Sequence, residues 1–218
     1  MNINVSPRAQ RIAVYAGPEH LALADWRRRV NALYAKVRGI ESGREAWMYW
    51  HQTRSALFKH HPMSPLPVEA RSDFETIPVF EYDPSLRCEV ETKPVHGPDQ
   101  KVDVGADGTL SRRPIFRTLG LYERFGAELT VYWISGYGGG LFLPFTDASS
   151  GLQTYGGGRY LLDAIKGADL GQTEHGDLIL DFNFAYNPSC ALNDAYVCPL
   201  APAENRLPQA ILGGERLN

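Results

Sequence analysis

Between Phe145 and Glu215 the chain gathers side chains of the kinds that bind and react. Asp181-Phe182-Asn183 sets a carboxylate and an amide two residues apart, Tyr186-Asn187-Pro188-Ser189-Cys190 follows, and Glu204-Asn205-Arg206 comes after Cys198-Pro199. A plain structural strand does not require polar, glycine and proline residues at this density, so the segment reads as a shaped site. On a strand, Asp181 and Asn183 share one face, with Phe182 opposite. A carboxylate beside an amide can position a substrate, serve as a general base or hold a hard cation. The plainer alternative is that Asp181 and Asn183 hydrogen-bond the backbone of the Asn187-Pro188 turn.

Two glycine triplets echo one another. Tyr137-Gly138-Gly139-Gly140-Leu141-Phe142-Leu143 returns 18 residues later as Tyr155-Gly156-Gly157-Gly158-Arg159-Tyr160-Leu161. Bare backbone can present amides to an anion, but neither triplet is followed by Lys-Ser or Lys-Thr, so no nucleotide motif is met. A hairpin whose two strands each begin with a glycine bend gives the same echo. Arg159, beside such backbone, is a workable clamp for a carboxylate or phosphate.

Cysteine and histidine usage excludes the familiar metal patterns. The cysteines are three, Cys88, Cys190 and Cys198, which suits a reducing cytoplasm better than a disulfide scaffold. Cys190 and Cys198 form no second close pair of soft ligands for zinc. They read as thiols filling a loop; a disulfide in an oxidising setting, or a reactive cysteine beside a histidine, is the alternative. His60-His61 falls where a helix ends, and a protonated imidazole there suits the negative end of the dipole. His-Glu-x-x-His and Gly-x-Ser-x-Gly are both absent.

These groups need elements to hold them. Leu23, Trp26, Val30, Leu33, Tyr34 and Val37 recur at helical spacing, with Gly39 as the stop. A second helix is expected from about Glu41 to Lys59, with Trp47, Trp50 and Leu57 on one face and His61-Pro62 ending it. Pro62, Pro65 and Pro67 make a stiff connector. Short strands are then expected at Ile77–Tyr82, Leu86–Glu91, Ile115–Tyr122, Glu128–Ile134, Gly140–Phe145, Gly158–Leu162 and Leu178–Asn183, with Asp107-Gly108 as a turn. No helices alternate with these strands, which argues against a doubly wound parallel sheet. The expected fold is α+β: N-terminal helices, residues 1–70, packed on a curved antiparallel β-sheet or partly open β-barrel, residues 71–218.

Bulk properties narrow the function classes. The 218 residues are 44% hydrophobic and 22% charged, ordinary for a globular chain. No apolar run reaches membrane-spanning length, and Met1–Pro7 lacks the features of a signal peptide, so the expected location is the cytoplasm. Residues 1–71 carry 11 Lys+Arg against 5 Asp+Glu, and the remainder 11 against 20. That split favours a basic arm packing on the acidic body of its own chain or of a neighbour, a homodimer through the helices being the second form. It argues less for nucleic acid, because the arm also needs its apolar residues to dock.

The C-terminal motifs resemble the domain-of-unknown-function 1684 family of bacteria and archaea. The resemblance rests on Phe145-Thr146-Asp147-Ala148-Ser149-Ser150-Gly151, Thr154-Tyr155-Gly156-Gly157-Gly158-Arg159-Tyr160, Asp181-Phe182-Asn183, Ala185-Tyr186-Asn187-Pro188, Cys190, Cys198-Pro199-Leu200, Glu204-Asn205-Arg206-Leu207 and Gly214-Glu215. Earlier, His61-Pro62-Met63-Ser64-Pro65-Leu66 is similar to a stretch of the family's shorter members. Ser189 stands where the family commonly has proline, and Phe184 where it commonly has a basic residue. The resemblance implies a mixed fold with a β body and no particular reaction.

The leading expectation is a small-molecule pocket for an anionic ligand. Asp181 or Glu204 would act as acid or base in any reaction, and Tyr155, Arg159, Asn183, Tyr186, Asn187 and Arg206 would bind. The competing reading is a non-catalytic structural or interaction protein whose polar motifs are an architectural hydrogen-bond network. No metal site is expected. The cofactor is open; a flavin- or haem-binding barrel is a third, weaker reading.

Overall fold

The apolar periodicity of the first third becomes two helices, α1 (Pro18–Arg38) and α2 (Gly43–His60). The computed structural model describes residues 18–105 and 108–217; Met1–Pro7 and Asp107 of the expected turn lie outside the described residues. Helix α1 buries Val30, Leu33, Tyr34 and Val37 and stops where the Gly39 amide donates to the Lys36 carbonyl at 3.0 Å. Ser42 caps α2, its hydroxyl accepting the Glu45 amide. Extended His61 ends α2, its amide donating to the Leu57 carbonyl at 3.0 Å.

The His61 ring does not serve the helix end as expected. Its Nδ1 accepts the Met63 amide at 3.1 Å, and its Nε2 lies 3.2 Å from the Asp25 carboxylate on α1. An amide must donate, so Nδ1 is unprotonated and the ring proton sits on Nε2, facing Asp25. The histidine therefore joins the two helices.

Seven strands form one antiparallel sheet: β1 (Arg87–Pro94), β2 (Gln100–Asp103), β3 (Thr109–Leu119), β4 (Thr130–Ser135), β5 (Gly140–Phe145), β6 (Arg159–Asp163) and β7 (Leu178–Asp181). Their order is β6-β5-β4-β3-β1-β7, with β2 on the first half of β3. The sheet curls into a nearly closed barrel. Beyond β7, Tyr186 exchanges backbone hydrogen bonds with Tyr160 of β6 at 2.8 and 3.0 Å, so the two edge regions meet.

Three expected strands are corrected. Ile77–Tyr82 makes only an isolated bridge, Val79 to Glu215. Pro78 offers no amide to a ladder, and the segment pairs with the C-terminal tail instead, Phe80 donating to Gly214 and Arg216 to Pro78. Strand β3 begins six residues before Ile115 and ends at Leu119; Tyr122–Phe125 is a helical turn, α3, closed by Gly126. Strand β7 stops at Asp181, whose carboxylate accepts the Asn183 amide and starts a 3-10 turn over Phe182–Phe184.

Both faces of the central strands are buried, in different cores. Within β4, Val131 faces the barrel interior with Leu129, Leu143, Phe145 and Leu180, whereas Tyr132 and Ile134 face the helices with Trp50, Tyr34 and Phe142. The period-two alternation of a strand sorts adjacent residues between the two. The glycine echo also resolves: β5 and β6 pair antiparallel, each entered from a triplet. Gly158 has φ of +89°, and a Cβ there would lie 2.5 Å from the Phe145 carbonyl oxygen, so glycine is required.

Candidate functional site

Helix α2 carries Trp50, Arg54 and Phe58 at intervals of four, one stripe facing the barrel. Arg54 is only 7% exposed. Its guanidinium lies over the rings of Tyr186 (4.6 Å), Phe58 (4.7 Å) and Trp50 (5.8 Å), an aromatic enclosure that favours a cation. The Nε donates to Glu215 Oε1 at 2.6 Å, and the other Glu215 oxygen accepts the Asn187 amide at 2.8 Å. The terminal nitrogens of Arg54 carry no hydrogen bond to another described residue.

Arg54 also lines a cavity of about 60 Å³ between the helices and the barrel. Arg54, Tyr186, Asn187, Tyr34, Tyr160 and Lys166 are on its wall. The Tyr186 hydroxyl and Asn187 Oδ1 are both buried and lack a hydrogen-bond partner among the described residues. Burial, with the Asp163 carboxylate adding, pushes the Tyr186 phenol well above its ordinary range, so its proton is available to donate. Burial likewise pushes Tyr34 up to about 12. Asp163 is itself raised by burial, against the pull of Lys166.

A larger groove of about 540 Å³ runs along the outer side of α1 and α2. Its charged groups are spent on one another: Asp25 takes Arg29 at 2.6 Å and His61 at 3.2 Å. The small cavity is the better candidate, because the Tyr186 hydroxyl and Asn187 Oδ1 on its wall have no hydrogen-bond partner among the described residues.

The sequence-expected residues separate into several places. Tyr186 and Asn187 line the cavity. Arg159 does not; it is 1% exposed and bound by its own chain. It donates to Asp147 Oδ2 (2.9 Å) and to the carbonyls of Ile211 (2.9 Å), Gly213 (2.5 Å) and Glu215 (3.1 Å). Asp147 completes this knot, its other oxygen accepting from Ser149 and the Ile211 amide.

Asp181 and Asn183 form a second knot. Asp181 Oδ1 accepts Asn183 Nδ2 at 2.8 Å, while Asn183 makes a two-way link to the Asp83 backbone at 2.9 and 2.7 Å. Burial raises the Asp181 carboxyl against the Asn183 hydrogen bonds. The partner of this pair is thus Asp83 and not the Asn187-Pro188 turn. Glu204 lies on the surface, where the Tyr132 hydroxyl donates to it at 2.6 Å and holds its pKa below the ordinary value. Arg206 is exposed, and half-buried Tyr155 directs its hydroxyl at Cys190 Sγ, 3.6 Å away. Neither Asp181 nor Glu204 is on the cavity wall.

Sequence reading missed Arg54, Glu215 and Asn205. Arg54 left a signal, a cation on an apolar helical stripe. Glu215 and Asn205 stood within the motifs that carry the family resemblance, but nothing local gave their roles, because their partners are remote in sequence. Asn205 is fully buried. It accepts the Thr130 amide and donates to the Thr130 and Pro144 carbonyls, each at 2.8 Å, stitching β4 to β5.

Residues 72–216 match the family described as "Protein of unknown function (DUF1684)". The chain belongs to the DUF1684 family. A similar solved structure is the solution NMR structure of an uncharacterized protein from Haloarcula marismortui, 31% identical, with a TM-score of 0.52 over 77% of this chain and 90% of that one. The curated proteins yield no match. The DUF1684 match takes in Asp147, Arg159, Asn205 and Glu215, and so the knots that hold the barrel's end, but begins after Arg54. In this DUF1684 protein, no described helix is long and apolar enough to cross a membrane.

Proposed function

We propose that the cavity between α2 and the barrel binds a small anionic ligand of the carboxylate or phosphate class. One observation carries the reading. The Tyr186 hydroxyl and the Asn187 side-chain oxygen, both buried without a hydrogen-bond partner among the described residues, lie on the same cavity wall as Arg54. Buried polar groups are ordinarily hydrogen-bonded, and leaving them unpaired is costly. A planar guanidinium beside a phenol donor suits the oxygens of an anion. The Asn187 side-chain amide, turned by half a rotation, would offer a further donor.

The reading is one of binding. No acid or base from the sequence-expected pair reaches the cavity, so no reaction is assigned to Asp181 or Glu204. The architectural reading is favoured for Arg159, Asp147, Asp181 and Asn183, which hydrogen-bond within the chain: both terminal nitrogens of Arg159 and the Asn183 amide are bound by it.

Amide-detected NMR titration with acetate, formate and inorganic phosphate tests the proposal. Saturable shifts at Tyr186, Asn187 and the Arg54 Nε signal are expected. Tyr186→Phe should weaken binding about tenfold, the loss of one hydrogen bond to a charged group. Absence of saturable shifts for all three anions, with Tyr186→Phe more stable than the parent, would overturn it.

A further inference from the structure

Cys190 and Cys198 bracket a loop that continues directly from the cavity wall. Pro188 and Ser189 line the cavity, and Cys190 lies in the 3-10 turn Ser189–Ala191. At the far end, the Tyr160 hydroxyl, also on the cavity wall, donates to the Pro199 carbonyl at 2.8 Å. Between these anchors, Asp194 to Val197 is exposed.

The two cysteines are brought together by the fold. The Cys190 amide donates to Cys198 Sγ at 3.4 Å. A sulfur that close to a residue's own nitrogen is within reach of that residue's side chain through a χ1 rotation. Both thiols are free and partly accessible, whereas Cys88 is buried, with Arg124 donating to its sulfur at 2.8 Å. Burial raises the Cys198 thiol, and the adjacent Cys190 adds to the rise over the opposing pull of the amide.

We propose that Cys190 and Cys198 are a redox-reactive dithiol that closes to a disulfide by exchange with a low-molecular-weight disulfide of the glutathione class, locking the loop that walls the cavity. One thiol loses its proton to solvent and attacks a sulfur of oxidised glutathione. A protein–glutathione bond forms, and the first glutathione leaves as thiolate. The second protein thiol, once deprotonated, attacks the protein sulfur of that mixed disulfide. The internal bond forms, the second glutathione leaves, and the two thiolates take up the two protons. The protein dithiol is oxidised by two electrons, and one oxidised glutathione is reduced to two thiols.

The test equilibrates the full chain in glutathione buffers from fully reducing to fully oxidising, alkylates the free thiols and reads intact mass, peptide map and amide hydrogen exchange. The expected result is loss of the mass of two hydrogen atoms, a Cys190–Cys198 linked peptide, alkylated Cys88, and slower exchange over residues 187–199. Cys198→Ser should instead accumulate glutathione on Cys190. Wild-type protein that stays alkylated at both positions, or carries only glutathione adducts, would overturn the pairing. A linked peptide with unchanged exchange over 187–199 would overturn the locking. Both readouts are independent of any ligand in the cavity.

Discussion

Arg54 and Glu215 are 161 residues apart in sequence and 2.6 Å apart in space. The pair fastens the helices to the last segment of the barrel. Glu215 divides its oxygens between Arg54 and the Asn187 amide, so one carboxylate sets both the arm and the cavity wall. The side chains are 9% and 1% exposed, which makes the pair a buried one.

Removing one partner leaves the other charge buried. Arg54→Met should lower the unfolding free energy by about 3–5 kcal/mol, whereas Arg54→Met combined with Glu215→Leu should recover most of the loss. Urea unfolding of the four proteins of this cycle gives the coupling. A double variant as unstable as the single one would mean that Glu215 acts mainly through Asn187.

Arg159 should behave as a structural residue. Arg159→Met strands the Asp147 carboxylate and three carbonyls, an expected loss of about 3–5 kcal/mol. Arg159→Lys keeps the charge but cannot reproduce the planar fork, so its loss should be intermediate. Denaturant midpoints decide this; a stable, folded Arg159→Met would refute the knot's importance.

Asn205 satisfies three backbone groups of β4 and β5. Asn205→Leu fills similar space and leaves them unpaired, at about 1–3 kcal/mol for each buried group. Hydrogen exchange at the Thr130 amide should rise with the fall in global stability. Protection unchanged at Thr130 would show that another acceptor replaces Asn205.

Glu128 carries a pH signature. Burial works to raise its pKa, but the hydrogen bonds from Thr118 and the amides of Tyr122, Gly120 and Leu121 hold it below the ordinary 4.5. A carboxyl depressed in the folded state contributes stability present above the unfolded pKa and lost as pH falls through the folded one. The stability gap between the parent and Glu128→Gln should therefore be full at neutral pH and shrink below about pH 4.5. Unfolding curves at neutral and acid pH measure it; a gap constant with pH would remove the charge from the account.

Much of the framework was legible because it is local. The apolar spacing of α1 and α2, the stop at Gly39 and the bends at both glycine triplets each follow from a few neighbouring residues. The failures have a common cause. Ile77–Tyr82 has strand composition, yet its pairing was decided by the distant tail at Gly214–Arg216. Gln100–Asp103 is short and polar, and becomes a strand because β3 offers it an edge.

The sequence by itself determined the helices, the antiparallel character of the sheet and the concentration of polar groups after Phe145. Tertiary structure alone decided what those groups do. Arg159 and Arg54 are chemically identical, and their local patterns, a glycine triplet and an apolar helical stripe, do not say what each one binds. The fold closes carbonyls and a carboxylate around Arg159 and places Arg54 on the wall of a cavity. Burial and hydrogen-bond saturation depend on residues brought from far along the chain, which is why one arginine is a rivet and the other is the proposed receptor.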